Sequence, residues 1–223
     1  IKIFCQEKHL KLIEDVSQAH GSTFLDKRLG TFGDISCFSC YPTKNLGALG
    51  DAGIITTNKT EYADRCRMLR QYGWKNKIYS ECFGRNSRLD EVQAAILNIK
   101  LKYLDKNNER RNEIASLYTE GLSKLPIITP KVRDKSSHVF HLYVIQIENR
   151  NALIKFLNNY DIYPGIHYEY PVHSQKTFSS RAIFKDLKIT EKISKKILSL
   201  PIFPNLDFDK VRDIISLIND FFS

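Results

Sequence analysis

Lys44 stands in the run Tyr41–Gly53, YPTKNLGALGDAG, where three glycines and one proline fall within thirteen residues. A lysine amine becomes a nucleophile near neutral pH only when desolvation or a neighbouring cation strips its proton. A glycine-rich loop directly after a strand can hold it that way. Asp15 closes one short apolar run, Lys11–Asp15 (KLIED), and Gln18 follows three residues later. Ser39 closes another, Ile35–Ser39. These are the residue types that a pyridoxal-phosphate site requires: a lysine for the Schiff base, a carboxylate for the pyridine nitrogen, and hydroxyl or amide donors for the phosphate. Residue type and spacing alone leave a bland alternative open, a solvent-facing loop lysine with acids at strand ends.

Other chemistry-bearing residues read as structural. Cys37 and Cys40 form a C-x-x-C match, but no second pair stands at zinc-site spacing. The motif lies in a strand pattern, where residues three apart point to opposite faces, so it does not open a redox helix. Metal chemistry is not expected. His138 and His141 flank an apolar run and read as satisfied core histidines; His9 and His20 have no better claim. Tyr72, Trp74 and Tyr79 with Lys75 and Lys77 could stack bases, but no nucleic-acid fold pattern surrounds them.

The elements that must position these residues follow from periodicity. Lys11–Asp15 reads as a buried strand whose two carboxylates emerge at its C-terminal end, the end that faces the ligand crevice in open α/β sheets. Ile35–Ser39 and Ile54–Thr57 are further strands, and Glu61–Gln71 has helical spacing. Ser87 with Asp90 three residues on has the form of a capping box. Leu89, Val92, Ile96, Ile99 and Tyr103 then recur at helical spacing. A second helix is expected over 105–125, ended by Pro126. Val139–Ile147 reads as a strand buried on both faces, and Ala152–Asn159, Lys192–Ser199 and Asp209–Phe222 as amphipathic helices. Eight of the ten glycines lie before residue 85. The expected architecture is α/β: residues 1–104 form part of a large sheet domain, and 105–223 a smaller α+β domain.

Composition bounds the rest. The 223 residues are 42% hydrophobic and 26% charged, ordinary for a folded domain and unlike a disordered chain. No apolar run reaches the roughly 20 residues of a membrane span, and no signal peptide is visible. Five cysteines, an odd number, read as reduced cytoplasmic thiols and not as a disulfide framework. The net charge of +9 is spread along helical faces, which argues for a solvated surface and against nucleic acid as partner. A basic surface also suits a phosphorylated small molecule. The chain opens at Ile1 within an amphipathic stretch, the reading expected of a truncated chain.

The runs EDVSQAHGSTF (14–24), KRLGTFGDISCFSCYPTKNLGALGDAGIITT (27–57), RNSRLDEVQAAIL (85–97), HLYVI (141–145) and IHYEYPVHSQ (166–175) together resemble the DegT/StrS-type sugar aminotransferases. These are fold type I pyridoxal-phosphate enzymes, and the likeness extends over essentially the whole chain. The YPTKNLGALGDAG block is most similar to the branch acting on nucleotide-linked keto-6-deoxy sugars. The resemblance implies a role for each matched residue. Lys44 carries the cofactor as a Schiff base and later shuttles the proton. Asp15 pairs with the pyridine nitrogen, Gln18 lies near the phenolic oxygen, and Ser39 binds the phosphate. Asn86 reaches the phosphate of the neighbouring subunit, which makes the active enzyme a homodimer. Arg88 contacts a substrate carboxylate, while His167 and Tyr168 line the sugar end of the site, in the same block as His173. The implied reaction moves an amino group from L-glutamate to a dTDP-keto-6-deoxyhexose, within surface polysaccharide, lipopolysaccharide or glycan synthesis. Val16 and Ser17 replace the usual small residues, and cysteines flank Ser39. Family members are well over half again as long, the additional part being N-terminal. Two alternatives stay open: a dehydratase on the same scaffold, which usually has histidine in place of the lysine, and a non-catalytic fragment.

Overall fold

The computed structural model describes residues 1–76, 78–178 and 186–223, so Lys77 lies outside the described residues. The chain divides into two compact units: Ile1–Glu109 with Arg133–Val139, and Arg110–Val132 with Phe140–Ser223.

The first unit opens with helix α1 (Lys2–Glu7), followed by strand β1 (Ile13–Asp15). Strands β2 (Thr23–Phe24) and β3 (Lys27–Arg28) form a two-residue hairpin. Its turn residues Leu25 and Asp26 both have positive φ, +50° and +59°, the backbone twist that tight hairpins require. Then come β4 (Ile35–Ser39) and β5 (Gly53–Thr56), and a mixed sheet forms in the order β1-β4-β5. β1 pairs with β4 in parallel, Asp15 opposite Cys37; β5 pairs with β4 antiparallel, Gly53 opposite Ser39. β1 is shorter than the apolar run and is not buried. It is an edge strand with Ile13 63% exposed. On β5, Ile55 is likewise exposed.

Alternation along β1 separates its two acids. Glu14 turns to one face, where its carboxylate accepts hydrogen bonds from the Gly30, Phe32 and Gly33 amides at 2.8, 2.7 and 2.6 Å. Only Asp15 emerges on the other face, beside Cys37 and Ser39 in the register.

Helix α2 (Thr60–Leu69) follows, and α3 (Glu91–Leu101) begins three residues later than the capping-box pattern suggests. The Arg85 and Ser87 amides donate to the Leu69 and Arg70 carbonyls at 2.7 and 2.9 Å. This holds the segment extended, and Asp90 becomes the N-cap. Of the expected apolar stripe, Val92 and Ile99 on α3 and Tyr103 just beyond it are exposed; the buried residue of α3 is Leu97, which lies outside that stripe. The unit's small core joins Leu97 to Cys40, Leu46, Ala48 and Leu104. Leu46 and Ala48 come from the loop that holds Lys44, so that loop is anchored from below by apolar contact.

Helix α4 (Leu104–Gly121) starts in the first unit and belongs to the second from Arg110 on. The second unit pairs β6 (Tyr143–Gln146) antiparallel with β7 (Ile197–Leu200) and packs them with α5 (Arg150–Asn158) and α7 (Phe208–Phe221). Its core includes Ile114, Tyr118, Tyr143, Ile145, Leu153, Leu198 and Val211. Truncating such a fully buried leucine typically costs about 2–5 kcal/mol.

Two expectations are corrected here. The run 192–199 is not one helix: α6 (Lys188–Ser194) ends, and Ile197–Leu200 forms β7 because β6 offers it a ladder. The strand over 139–147 shrinks to four residues that alternate between buried and half-buried. Phe140 takes a positive φ, and Arg111 binds the Phe140 and His141 carbonyls, so neither joins the ladder.

Candidate active site

One sheet face of the first unit bears Asp15, Cys37 and Ser39. β1 and β4 are parallel and in register, so Asp15 and Ser39 leave the same face of adjacent strands. The chain then turns sharply. Lys44 N donates to Tyr41 O at 2.8 Å, and Ala48 N to Cys40 O at 2.8 Å. Gly47 is required here, since a Cβ would sit 2.4 Å from the Pro42 carbonyl oxygen. The Lys100 ammonium donates to the Gly47 carbonyl, and Gln93 accepts from the Leu49 amide at 2.9 Å. The loop is thus pinned along its length, with Lys44 half-buried at its first turn.

Asp15 and Lys44 interact electrostatically. The Asp15 carboxyl is held below the usual carboxylate range, first by the Ser17 hydroxyl and then by the Ser17 amide, with the Lys44 charge acting the same way and burial opposing. Both Ser17 bonds fall on Oδ1, at 2.5 and 3.0 Å. His20 is 2% exposed and tilted against Phe38 with ring centroids 5.6 Å apart; among the described residues its ring nitrogens meet no partner at full hydrogen-bonding geometry, the Ser39 backbone making only a weak contact. Burial pushes the imidazole below its ordinary range; the Ser39 backbone opposes this and the Lys44 charge adds to it. Nothing in the sequence distinguished His20 from the other histidines.

Gln18 is exposed in the turn after β1. Asn86 is exposed too, and its Oδ1 accepts from Arg88 Nε at 3.0 Å, while the Arg88 guanidinium lies 5.7 Å from the Tyr72 ring centroid. Ser39 and Ile55 on the sheet, Arg67 on α2, Arg70 at the C-cap of α2, and Arg88 line an open cleft of about 970 Å³. Asp15, Gln18 and Lys44 lie outside that cleft's lining. Its large volume does not by itself make it the chemical centre. His167 and Tyr168 belong to the second unit. His167 Nδ1 is 2.9 Å from Ser199 Oγ, and Tyr168 is exposed. His173 Nε2 lies 3.1 Å from Glu191 Oε1.

Cys37 and Cys40 are free thiols, and burial pushes both above the ordinary thiol range. Among the described residues, no group of three or more His, Cys, Asp or Glu could hold a metal ion, and no helix is long and apolar enough to cross a membrane.

The donor set fits a pyridoxal-phosphate cofactor. It comprises a half-buried amine whose charge reaches an anionic carboxylate, that carboxylate's second oxygen taking none of the Ser17 bonds, and a serine hydroxyl on the carboxylate's sheet face.

Residues 1–219 match the family model of the DegT/DnrJ/EryC1/StrS aminotransferase family. The chain is 45% identical over 220 residues to dTDP-3-amino-3,6-dideoxy-alpha-D-galactopyranose transaminase of Aneurinibacillus thermoaerophilus, covering 98% of this chain and 60% of that protein. The crystal structure of DesV from S. venezuelae, in complex with a ketimine intermediate, superposes with a TM-score of 0.93 at 36% identity, covering 99% of this chain and 60% of DesV. NtdA from Bacillus subtilis, solved with bound cofactor PMP, gives a TM-score of 0.83 at 29% identity, with 97% of this chain and 53% of NtdA covered. The chain therefore spans about three-fifths of the length of the first two.

Proposed function

Because this chain belongs to the DegT/DnrJ/EryC1/StrS aminotransferase family, we propose that it is the lysine-bearing part of an enzyme that aminates a nucleotide-linked keto sugar, using pyridoxal 5'-phosphate. The substrate class is a dTDP-keto-6-deoxyhexose, in line with the transaminase from Aneurinibacillus thermoaerophilus, and L-glutamate is the amino donor. The observation that carries this reading is the placement of Asp15 and Ser39 on one face of adjacent strands, with Lys44 on the pinned loop that follows β4.

When bound, the cofactor supplies an electron sink for the substrate carbon as it loses its proton. Lys44 would hold the cofactor and would carry the proton at the reacting carbon. Asp15, ionised, would pair with the ring nitrogen and favour its protonated form. The Ser39 hydroxyl would take the phosphate, and Gln18 would serve the phenolic side of the ring. Asn86 serves the phosphate of a second copy, so the working enzyme is a homodimer with shared sites. Arg88 would take a substrate carboxylate, and the family resemblance gives His167 and Tyr168 a part in sugar recognition. The setting is a cytoplasmic step in surface polysaccharide or glycan synthesis.

Borohydride reduction of the protein with pyridoxal phosphate, followed by peptide mapping, tests the assignment. The expected result is a visible absorbance band and reduced cofactor on Lys44, both lost in Lys44→Ala together with turnover. A Lys44→Ala variant that keeps near-normal turnover overturns the reading. Absence of any band from the native protein would favour the alternative of a folded, non-catalytic module.

A further inference from the structure

Two amides sit behind Lys44 and have no part in the chemistry assigned above. Asn45 Nδ2 donates to Asn108 Oδ1 at 2.8 Å and to the Val139 carbonyl at 2.9 Å. Asn108 lies in the second turn of α4, is 6% exposed, and donates through Nδ2 to the His20 carbonyl at 2.8 Å. One side chain therefore ties the residue after Lys44 to the segment that follows Asp15. Gly21 makes the approach possible: a Cβ there would come within 2.8 Å of Asn108 Nδ2, and its φ is +92°.

Stability alone is a poor explanation for this arrangement. Asparagine is a weak helix former, and an apolar residue could fill a buried position on α4 without needing partners. The Asn45 Oδ1 is buried with no partner among the described residues, a state that typically costs about 1–3 kcal/mol. The amide is oriented for its donors at that cost. The bonds join segments far apart in sequence, 45 to 108 and 20 to 108, and they end on the residue after Lys44 and on the segment that follows Asp15.

Resting on the reading of Lys44 as the cofactor lysine, we propose that Asn108 is a positioning residue that acts through Asn45 and the His20 carbonyl to fix Lys44 relative to Asp15. Misplacing a reacting group by about 1 Å can cost roughly a hundredfold in rate. The amides restrain the amine without touching it, so a smaller effect is expected.

The test compares Asn45→Ala, Asn108→Ala and the double variant in the complete, cofactor-loaded protein. Ser36→Ala serves as control, because Ser36 Oγ is bonded to Gly30 O and Glu14 on the opposite sheet face. Each amide variant should lower kcat about tenfold with little change in KM. The double variant should be no worse than the poorer single one, since the two share a bond. Visible circular dichroism per bound cofactor, a readout of how rigidly it is held, should fall by about half or more. Asn45→Ser keeps the polarity and serves if the alanine variants do not fold. The proposal is overturned if the amide variants melt earlier, as Ser36→Ala does, yet keep kcat and ellipticity within about twofold. Native protein with no reduced cofactor on Lys44 removes the underlying reading and this proposal together. Labelled native protein with unaffected variants removes this proposal alone.

Discussion

Glu14 and Asp15 are adjacent acids with opposite structural duties, and replacing each should show it. The Glu14 carboxylate gathers three backbone amides of the Gly30–Gly33 turn at 2.6 to 2.8 Å and faces the Ser36 hydroxyl at 3.3 Å. Glu14→Gln keeps the shape but puts an NH2 where at least one amide donates, and removes the charge. Hydrogen bonds to a charged group contribute about 1.5–3 kcal/mol each. With the site half-buried and water able to replace part of the loss, the first unit should lose about 3 kcal/mol. Total stabilities of single domains run to about 5–15 kcal/mol, so the loss is a large share. The only tryptophan of the chain, Trp74, lies in this unit and reports its unfolding by fluorescence. With a urea m-value of about 1–3 kcal/mol/M, the midpoint should fall by about 1–3 M. Asp15→Asn, on an exposed carboxylate bonded to Ser17, should cost under about 1 kcal/mol while weakening cofactor retention. A Glu14→Gln loss below about 1 kcal/mol would refute the reasoning, because the three amides would then not depend on that carboxylate.

Gly47→Ala should force the Lys44 loop to shift, since the new Cβ meets the Pro42 carbonyl at 2.4 Å; overpacking of this kind costs about 1–3 kcal/mol, and a cofactor titration should show at least tenfold weaker binding. His20 and His138 are both held below the ordinary histidine range by burial. The unfolded chain therefore takes up protons at about pH 6.5, before the folded chain does, and stability falls as pH drops below that value. His20→Gln should flatten the decline of the urea midpoint between about pH 7 and 5.5, and an unchanged slope would mean that His20 does not contribute. In the second unit, Arg111 Nη1 donates to the Phe140, His141 and Ile202 carbonyls at 3.1, 3.4 and 3.0 Å, and burial pushes its pKa down to about 10. Arg111→Met should cost about 2–3 kcal/mol, read by amide hydrogen exchange across β6 and β7.

The strand Ile35–Ser39 was legible to the residue, because turn signals bound it on one side and the glycine-rich loop on the other. Lys44 and Asp15 were legible as types. Their proximity was not, since it depends on which strands pair and in which direction. The stripe on α3 was legible as helical spacing, but which side is covered is decided by what packs there, and Leu97 won over Val92 and Ile99. The hairpin at Leu25 and Asp26 had no sequence signature, as neither residue is the glycine or asparagine that such turns favour. The polar run at 107–113, NNERRNE, has the look of a solvated helix face. Asn108 and Arg111, one turn apart, are nevertheless buried in it, each held by carbonyls from distant segments. Polarity alone cannot reveal that kind of burial.

Strands β1 and β5 bound the three-stranded sheet, and each leaves one flank of amides and carbonyls without a strand partner among the described residues, with Ile13 and Ile55 exposed beside them. Such a border is a template for any extended segment that can complete its ladder. Whatever occupies those flanks shields this stretch of protein from self-assembly into insoluble β-structure. Handling of the protein at high concentration is therefore governed as much by those two rows of backbone as by its basic surface.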